Sequence, residues 1–160
     1  MATLRICRLE RGGLGGKKMQ AWGDWAKDRL LAGHPKESGY NFYTDGTKQL
    51  IAGVWECTPG MAEIVDFPYD EFCILLEGSV VITDASGHKE TYGPGDGFVI
   101  PKGFNGTWSM PVTVRKYYVI FEDKLTAKLA KATAKPAPAA ARPARRPAVR
   151  RRAAARRKAA

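Results

Sequence analysis

Short runs of β-branched and aromatic residues alternate with turn signals from Tyr40 to Phe121. The runs predict nine strands, at residues 41–44, 49–57, 63–66, 71–77, 79–84, 90–92, 97–100, 106–110 and 113–121. No helical pattern lies between them, and turn dipeptides such as Asp45-Gly46 divide one run from the next. Many short strands at this spacing predict an all-β sandwich or barrel.

The N-terminal third has a different pattern. Alternation over residues 3–8 predicts an edge strand or arm, and a glycine-rich joint at residues 12–16 follows it. Residues 20–32 carry apolar groups, among them Trp22 and Trp25, between charged residues, and Gly33 is a stop signal. This segment is therefore predicted to form one short amphipathic helix.

Charge divides the chain into a body and a tail. The net charge is +10, yet the first 125 residues sum to −2, while residues 126–160 hold 12 Lys and Arg and no acid. The tail has no aromatic residue and cannot bury enough apolar surface to offset its ordering entropy. We predict an arm and helix at 1–33, a barrel at 34–124 and a disordered basic tail at 125–160.

The three cysteines, Cys7, Cys57 and Cys73, form no C-x-x-C pair, and their odd number argues against a disulfide framework. Reduced thiols fit a cytoplasmic protein. No apolar run has the length of a signal peptide or of a membrane span. The expected location is therefore the cytoplasm.

Two spaced motifs connect the barrel to a known family. Glu71 is followed after six residues by Gly78, and Gly95 is followed after five residues by Pro101 and then by Gly103. In this order and spacing the motifs resemble those of the cupins. The glycines would occupy hairpin corners that need positive φ or close backbone approach, and the proline would mark a strand end.

Further segments, at 53–60, 70–73, 106–108 and 114–119, resemble a particular branch of that family. The branch contains small single-cupin proteins related to (S)-ureidoglycine aminohydrolase. The resemblance spans roughly residues 30–121 and implies a single jelly-roll-like β-barrel. It explains neither the N-terminal arm nor the basic tail.

The metal-binding histidines of that family are missing. Its H-x-H positions fall on Val65 and Phe67 or, with another permitted spacing, on Ile64 and Asp66, and its last histidine falls on Gly106. First-row transition metals prefer imidazole or thiolate ligands, so Glu71 with Asp66 and Cys73 is a poor set. We therefore expect no cofactor. The branch's metal-dependent hydrolysis does not transfer to this chain.

Strand alternation places Glu71, Cys73 and Leu75 on one face, which the motif match turns toward the barrel interior. An interior carboxylate needs a cation or donor opposite it. The candidates on or beside barrel strands are Lys116, Arg115, Tyr118 and Tyr69. Cys73 has no histidine near it in sequence to activate it, so an inert thiol is expected.

Three functional hypotheses follow. In the first, a non-catalytic or weakly catalytic barrel binds a small polar metabolite with Glu71 and its partner, between Trp55 and Trp108. In the second, an enzyme that hydrolyses small nitrogenous metabolites retains an unusual metal site through Glu71, Asp66 and Asp70. In the third, the barrel is a scaffold and the tail binds nucleic acid.

Partners are expected at both ends of the chain. The arm could add as a strand to a neighbouring subunit, which predicts a homodimer. The tail has clustered charges without aromatic residues, which is typical of non-specific phosphate binding. The charges are those of Arg145, Arg146, Arg150, Arg151, Arg152, Arg156, Arg157 and Lys158.

Overall fold

The computed structural model describes residues 5–124, and these contain eleven strands. The strands are β1 (Gln20–Asp24), β2 (Leu30–Gly33), β3 (Lys36–Thr44), β4 (Leu50–Cys57), β5 (Gly60–Ile64), β6 (Asp70–Glu77), β7 (Val80–Asp84), β8 (Lys89–Tyr92), β9 (Gly97–Ile100), β10 (Gly106–Met110) and β11 (Val114–Phe121). Two three-residue 3-10 turns, Leu14–Gly16 and Lys27–Arg29, are the only complete helical elements of this part of the chain.

The strands form two antiparallel sheets. One has six strands in the order β1-β3-β4-β11-β6-β9, and the other has five in the order β2-β5-β10-β7-β8. The inward side chains of both sheets meet in one core that includes Leu75, Val80, Phe98, Met110 and Val114. The predicted all-β barrel is confirmed.

All nine predicted strands are present, with ends shifted by a few residues, and β9 and β10 have the predicted bounds. β6 is buried at alternate residues, so Glu71, Cys73 and Leu75 do face inward. The motif glycines have positive φ, at 77° for Gly78 and 82° for Gly103. Local pattern was enough here because each strand is bounded by its own turn residues.

The amphipathic helix predicted over residues 20–32 is wrong. That segment forms β1, the 3-10 turn Lys27–Arg29 and β2. β1 pairs with β3 and β2 pairs with β5, so the segment crosses from one sheet to the other. Backbone pairing with distant strands outweighs a weak local helical pattern. The barrel therefore includes residues that the sequence assigned to the arm.

The edge strand predicted over residues 3–8 is also not formed in its described part. Residues 5–10 have no regular structure, and Cys7 and Leu9 hydrogen-bond to strands of the six-stranded sheet. Cys7 Sγ donates to the Phe42 carbonyl at 3.3 Å, and the Tyr117 hydroxyl donates to the Leu9 carbonyl at 3.1 Å. The arm is thus held by its own barrel. Residues 125–160, and the tail interpretation with them, lie outside the described part.

Within residues 5–124, no helix is long and apolar enough to cross a membrane.

Candidate ligand-binding cavity

One end of the barrel is not filled by core side chains and holds a cavity of about 600 Å³. The filled end and the cavity share the same strands. β11 runs from Val114 in the core to Tyr118 and Ile120 at the cavity, and Lys116 lies between them. The volume falls in the usual range for small-molecule sites, about 300–1,000 Å³.

A buried ion pair lies at the inner end of the cavity. Lys116 Nζ donates to Glu71 Oε1 at 2.8 Å and to Cys73 Sγ at 3.3 Å. Glu71 is 6% exposed and Lys116 is 5% exposed. β11 and β6 are neighbours in the sheet, which brings the two side chains together although 45 residues separate them. Of the four predicted partners of Glu71, the structure selects Lys116.

This surrounding fixes the protonation of the site. Burial acts to lower the pKa of the Lys116 ammonium, but its acceptors Cys73 Sγ and Glu71 Oε1 outweigh burial and hold the pKa above the usual value. Burial raises the pKa of the Cys73 thiol to about 11. At neutral pH Lys116 is therefore an ammonium and Cys73 is a neutral thiol. Cys73 is no nucleophile in this state, because attack needs the thiolate.

Two tyrosines add neutral phenols beside the pair. Burial and the Glu71 carboxylate raise the pKa of Tyr118 to about 12, and the same two causes raise the pKa of Tyr69. Both line the cavity. A glycine makes the room for one of them, because a Cβ at Gly53 would lie 2.4 Å from the Tyr118 hydroxyl oxygen.

Trp55 and Trp108 pack against each other in one wall of the cavity and do not face each other across it. Their rings meet edge to face, with centroids 6.2 Å apart, so no ligand fits between them as the sequence hypothesis required. Lys116 Nζ lies 4.9 Å from both ring centroids, where the electron-rich ring faces attract the ammonium group. A ligand in the cavity would contact this wall from one side.

Sequence reasoning missed the other wall. Trp22, Trp25 and Glu37 line the cavity, and the first two lie in the segment that was mistaken for a helix. Trp22 lies over a glycine, since a Cβ at Gly39 would be 2.4 Å from the ring. Glu37 Oε1 accepts a hydrogen bond from Trp55 Nε1 at 2.9 Å. The sequence signal that could have identified this wall was strand alternation, which places Glu37, Gly39 and Asn41 on one face of β3.

The remaining candidates lie elsewhere. Arg115 points to the outer face of the sheet, where it binds Glu56 and Glu77. Asp66 and Asp70 are exposed: the Asp66 N–H donates to Asn105 Oδ1, and Asp70 Oδ1 accepts from the Lys102 N–H. Neither aspartate lines the cavity.

The donor set does not fit a transition metal. In the described part of the chain, no three His, Cys, Asp or Glu side chains converge. The sequence positions of the missing histidine ligands hold apolar side chains at Ile64, Val65 and Phe67, the exposed carboxylate of Asp66, and no side chain at Gly106. The Glu71 carboxylate already binds an ammonium, whose charge would repel a metal ion. Glu71 and Asp66, the two weak candidates for a metal site, are not brought together, because Asp66 does not line the cavity.

Comparison with known proteins agrees with the fold. Residues 44–118 match the model of the EutQ-like cupin domain. A Pseudomonas syringae pv. tomato protein of unknown function, of the DUF861 family, is 25% identical with a TM-score of 0.59, and the match covers 64% of this chain and 44% of that one. This chain thus spans less than half of that relative's length. No curated protein matches the sequence.

Two more solved structures extend the comparison. A DUF861 family protein from Thermotoga maritima is 32% identical over 42% of this chain and 76% of its own, with a TM-score of 0.41. The cupin domain of Schizosaccharomyces pombe Cnp3 is 17% identical over 59% of this chain and 71% of its own, with a TM-score of 0.50. With its two-sheet barrel, its motif glycines and the match over residues 44–118, the chain is a cupin-domain protein of the EutQ-like type.

Proposed function

We propose that this protein is a metal-independent cupin that binds a small polar molecule in the barrel cavity and does not catalyse its turnover. One observation carries the proposal. The Lys116 ammonium binds Glu71 at 2.8 Å at the inner end of a cavity of about 600 Å³. The Lys116 ammonium thus occupies the Glu71 carboxylate, which would otherwise be free to bind a metal ion.

The cavity supports binding by its mixed lining. Aromatic and aliphatic side chains cover most of the walls, and a few polar groups converge near the ion pair. A small number of fixed polar groups in an apolar pocket is what orients small ligands. The phenols of Tyr69 and Tyr118 offer hydroxyl groups to such a ligand.

Binding without turnover is favoured because the reactive groups are occupied. Glu71 is held by Lys116, and Lys116 is charged and therefore not nucleophilic. Cys73, whose thiol contacts Lys116, is neutral at pH 7. Hydrolysis of the (S)-ureidoglycine aminohydrolase kind is the less favoured alternative, because that chemistry needs a metal and the donor set does not fit one.

The test pairs metal analysis with a ligand screen. Protein purified without added metal should hold less than about a tenth of an equivalent of any transition metal, and added metal should not raise its melting temperature. A panel of small cationic, neutral and anionic metabolites should contain compounds that do raise it. The proposal fails if metal is stoichiometric, or if no compound of any charge class stabilises the protein.

A matched pair of variants locates the binding. Replacing both buried partners, in Glu71→Leu with Lys116→Met, exchanges the ion pair for apolar side chains of similar size, which is often neutral for stability. This double variant should fold and lose ligand binding. The control is Arg115→Met, which changes the neighbouring residue on the outer face of the same strand and should keep binding.

A homodimer and a cytoplasmic location are part of the same proposal. Light scattering at tens of micromolar should give twice the monomer mass. Because the arm lies on its own barrel, deletion of residues 1–18 should expose sheet surface as well as alter association. The free thiols of Cys7, Cys57 and Cys73 are consistent with a reducing compartment.

A further inference from the structure

Among the acidic residues that line the cavity within residues 5–124, Glu37 is the one without a cation beside it. It lies on β3, partly buried, and lines the cavity. Its Oε1 accepts the Trp55 indole N–H at 2.9 Å, which is a neutral donor. Across residues 5–124, no Lys, Arg or His nitrogen lies within ion-pair distance of it. Partly buried charge without a counter-ion is costly, so Glu37 favours a positive group in the cavity.

The remaining charges of the lining do not compensate it. Lys116 and Glu71 neutralise each other at 2.8 Å. Arg29 and Glu63 also cancel, 3.7 Å apart with side chains 42% and 51% exposed, so they lie toward solvent. Tyr69 and Tyr118 are neutral phenols at pH 7. The lining therefore keeps a net charge of −1, and that charge belongs to Glu37.

The walls suit an organic cation. The face of an aromatic ring attracts an ammonium group, and tryptophan does so most strongly. This barrel already uses that attraction once, since Lys116 Nζ lies 4.9 Å from the ring centroids of Trp55 and Trp108. Further rings line the cavity on the Glu37 side, among them Trp22 and Trp25.

We propose that the cavity takes a small organic cation, an ammonium or methylated ammonium compound, with Glu37 as its counter-ion and the Trp22 and Trp25 side as its aromatic wall. The inference rests on the proposed binding function and names its ligand class. Lys116 would turn away a second cation from the innermost end, so the charged group lies near Glu37 and a polar substituent reaches Tyr69 and Tyr118.

Three probes of one shape test the charge requirement. Choline, 3,3-dimethyl-1-butanol and 3,3-dimethylbutanoate share a bulky head and differ in charge, which is positive, zero and negative. Calorimetric titration of the full chain should give the order choline, then the alcohol, then the acid, with roughly a tenfold preference for choline over the alcohol. The acid carries its charge at the opposite end from the ammonium of choline, and it should not bind at about 10 mM, because the lining as a whole has a net charge of −1.

Variants of two acidic residues assign the preference. Glu37→Gln should lower choline affinity about tenfold and leave the alcohol unchanged, and Glu37→Asp should restore part of the loss. The matched control is Glu56→Gln, which alters a carboxylate paired with Arg115 on the outer face of the sheet, away from the cavity, and should change choline affinity less than about twofold. Melting curves verify that each variant is folded.

Other outcomes overturn the inference. It fails if the acid binds as well as choline, if Glu37→Gln leaves the ratio of choline to alcohol unchanged, or if no probe binds at about 10 mM. These results are separable from failure of the proposed function. If a neutral or anionic compound stabilises the protein in the screen and its binding needs the Glu71 and Lys116 pair, the proposed binding function stands. The inference of an organic cation is then overturned.

Discussion

Arg115 and Lys116 are neighbours on β11, and each binds carboxylates, but on opposite faces of the sheet. The Arg115 side chain is 23% exposed and bridges Glu56 and Glu77 on the outside. The Lys116 side chain is 6% exposed and binds Glu71 inside the barrel. One residue step along a strand reverses the face, and this changes the medium in which the ion pair acts.

The medium decides what each pair does. Outside, water screens the charges, and the loss of one partner leaves the others hydrated. Inside, neither partner can regain water, so each depends on the other. The outer pair adds a little stability, whereas the inner pair constrains the fold and shapes the cavity. The experiments that follow test this contrast.

The largest effect should come from breaking the inner pair at one partner. Glu71→Ala leaves the Lys116 ammonium buried without a counter-ion and should lower the free energy of unfolding by about 3–5 kcal/mol. Glu71→Gln keeps a hydrogen-bond acceptor and should lower it less. Urea denaturation measures both. Losses under about 0.5 kcal/mol in both variants would mean that Glu71 is solvated and the contrast is false.

The second-largest loss in the free energy of unfolding should come from alkaline pH. The pKa of Cys73 is raised from 9.0 to about 11 and that of Tyr118 from 10.0 to about 12. A raised pKa contributes stability that is full below the unfolded value and is lost as pH rises through the folded value. The free energy of unfolding should therefore fall between about pH 9 and 12, by roughly 2 kcal/mol for each group.

The variant Cys73→Ser sharpens that experiment. Serine does not titrate in this range, so denaturation across the same pH series should show a shallower alkaline decline. Asp45, a half-buried residue outside the core, is the counterpart, with a pKa lowered to about 2 by hydrogen bonds from Thr47 and Leu50. Its contribution is lost at the acid end, as pH falls below about 3.8. If the alkaline decline in the free energy of unfolding is unchanged in Cys73→Ser, the Cys73 thiol does not contribute to it.

A smaller effect is expected on the outer face. Arg115→Ala should lower the free energy of unfolding by about 1 kcal/mol, and the difference from wild type should shrink in about 0.5 M salt. The inner variant Glu71→Ala should keep its deficit at that salt concentration, because a buried pair is poorly screened. Equal salt sensitivity of the two deficits would contradict the assignment of the two faces.

The smallest stability effect should follow removal of the tail. Truncation after Lys124 should change the free energy of unfolding by less than about 0.5 kcal/mol, since residues 126–160 contain few large apolar side chains. The same truncation should abolish any DNA binding. If the full chain binds DNA through most of its 12 tail charges, log affinity should fall with log salt at a slope approaching about −10.

Much of the barrel could be predicted because its signals are local. Strand alternation, turn residues and the motif spacing placed nine strands and turned Glu71 inward. The candidate site was only half predictable. Lys116 stood among four candidates, and Glu37, Trp22 and Trp25 were not among the site residues at all. Their roles depend on pairings across the sheets, which a local pattern does not encode.

The sequence by itself determined the class of fold, the glycine corners and the absence of the usual histidine ligands, because each of these is a matter of residue type at a local spacing. The tertiary structure decided which cation meets Glu71, which carboxylate stays without one and where residues 20–33 lie. Those outcomes follow from the register of β11 on β6 and from the pairing of β1 with β3 and β2 with β5. Each joins residues far apart in the chain, and burial of the whole barrel selects them.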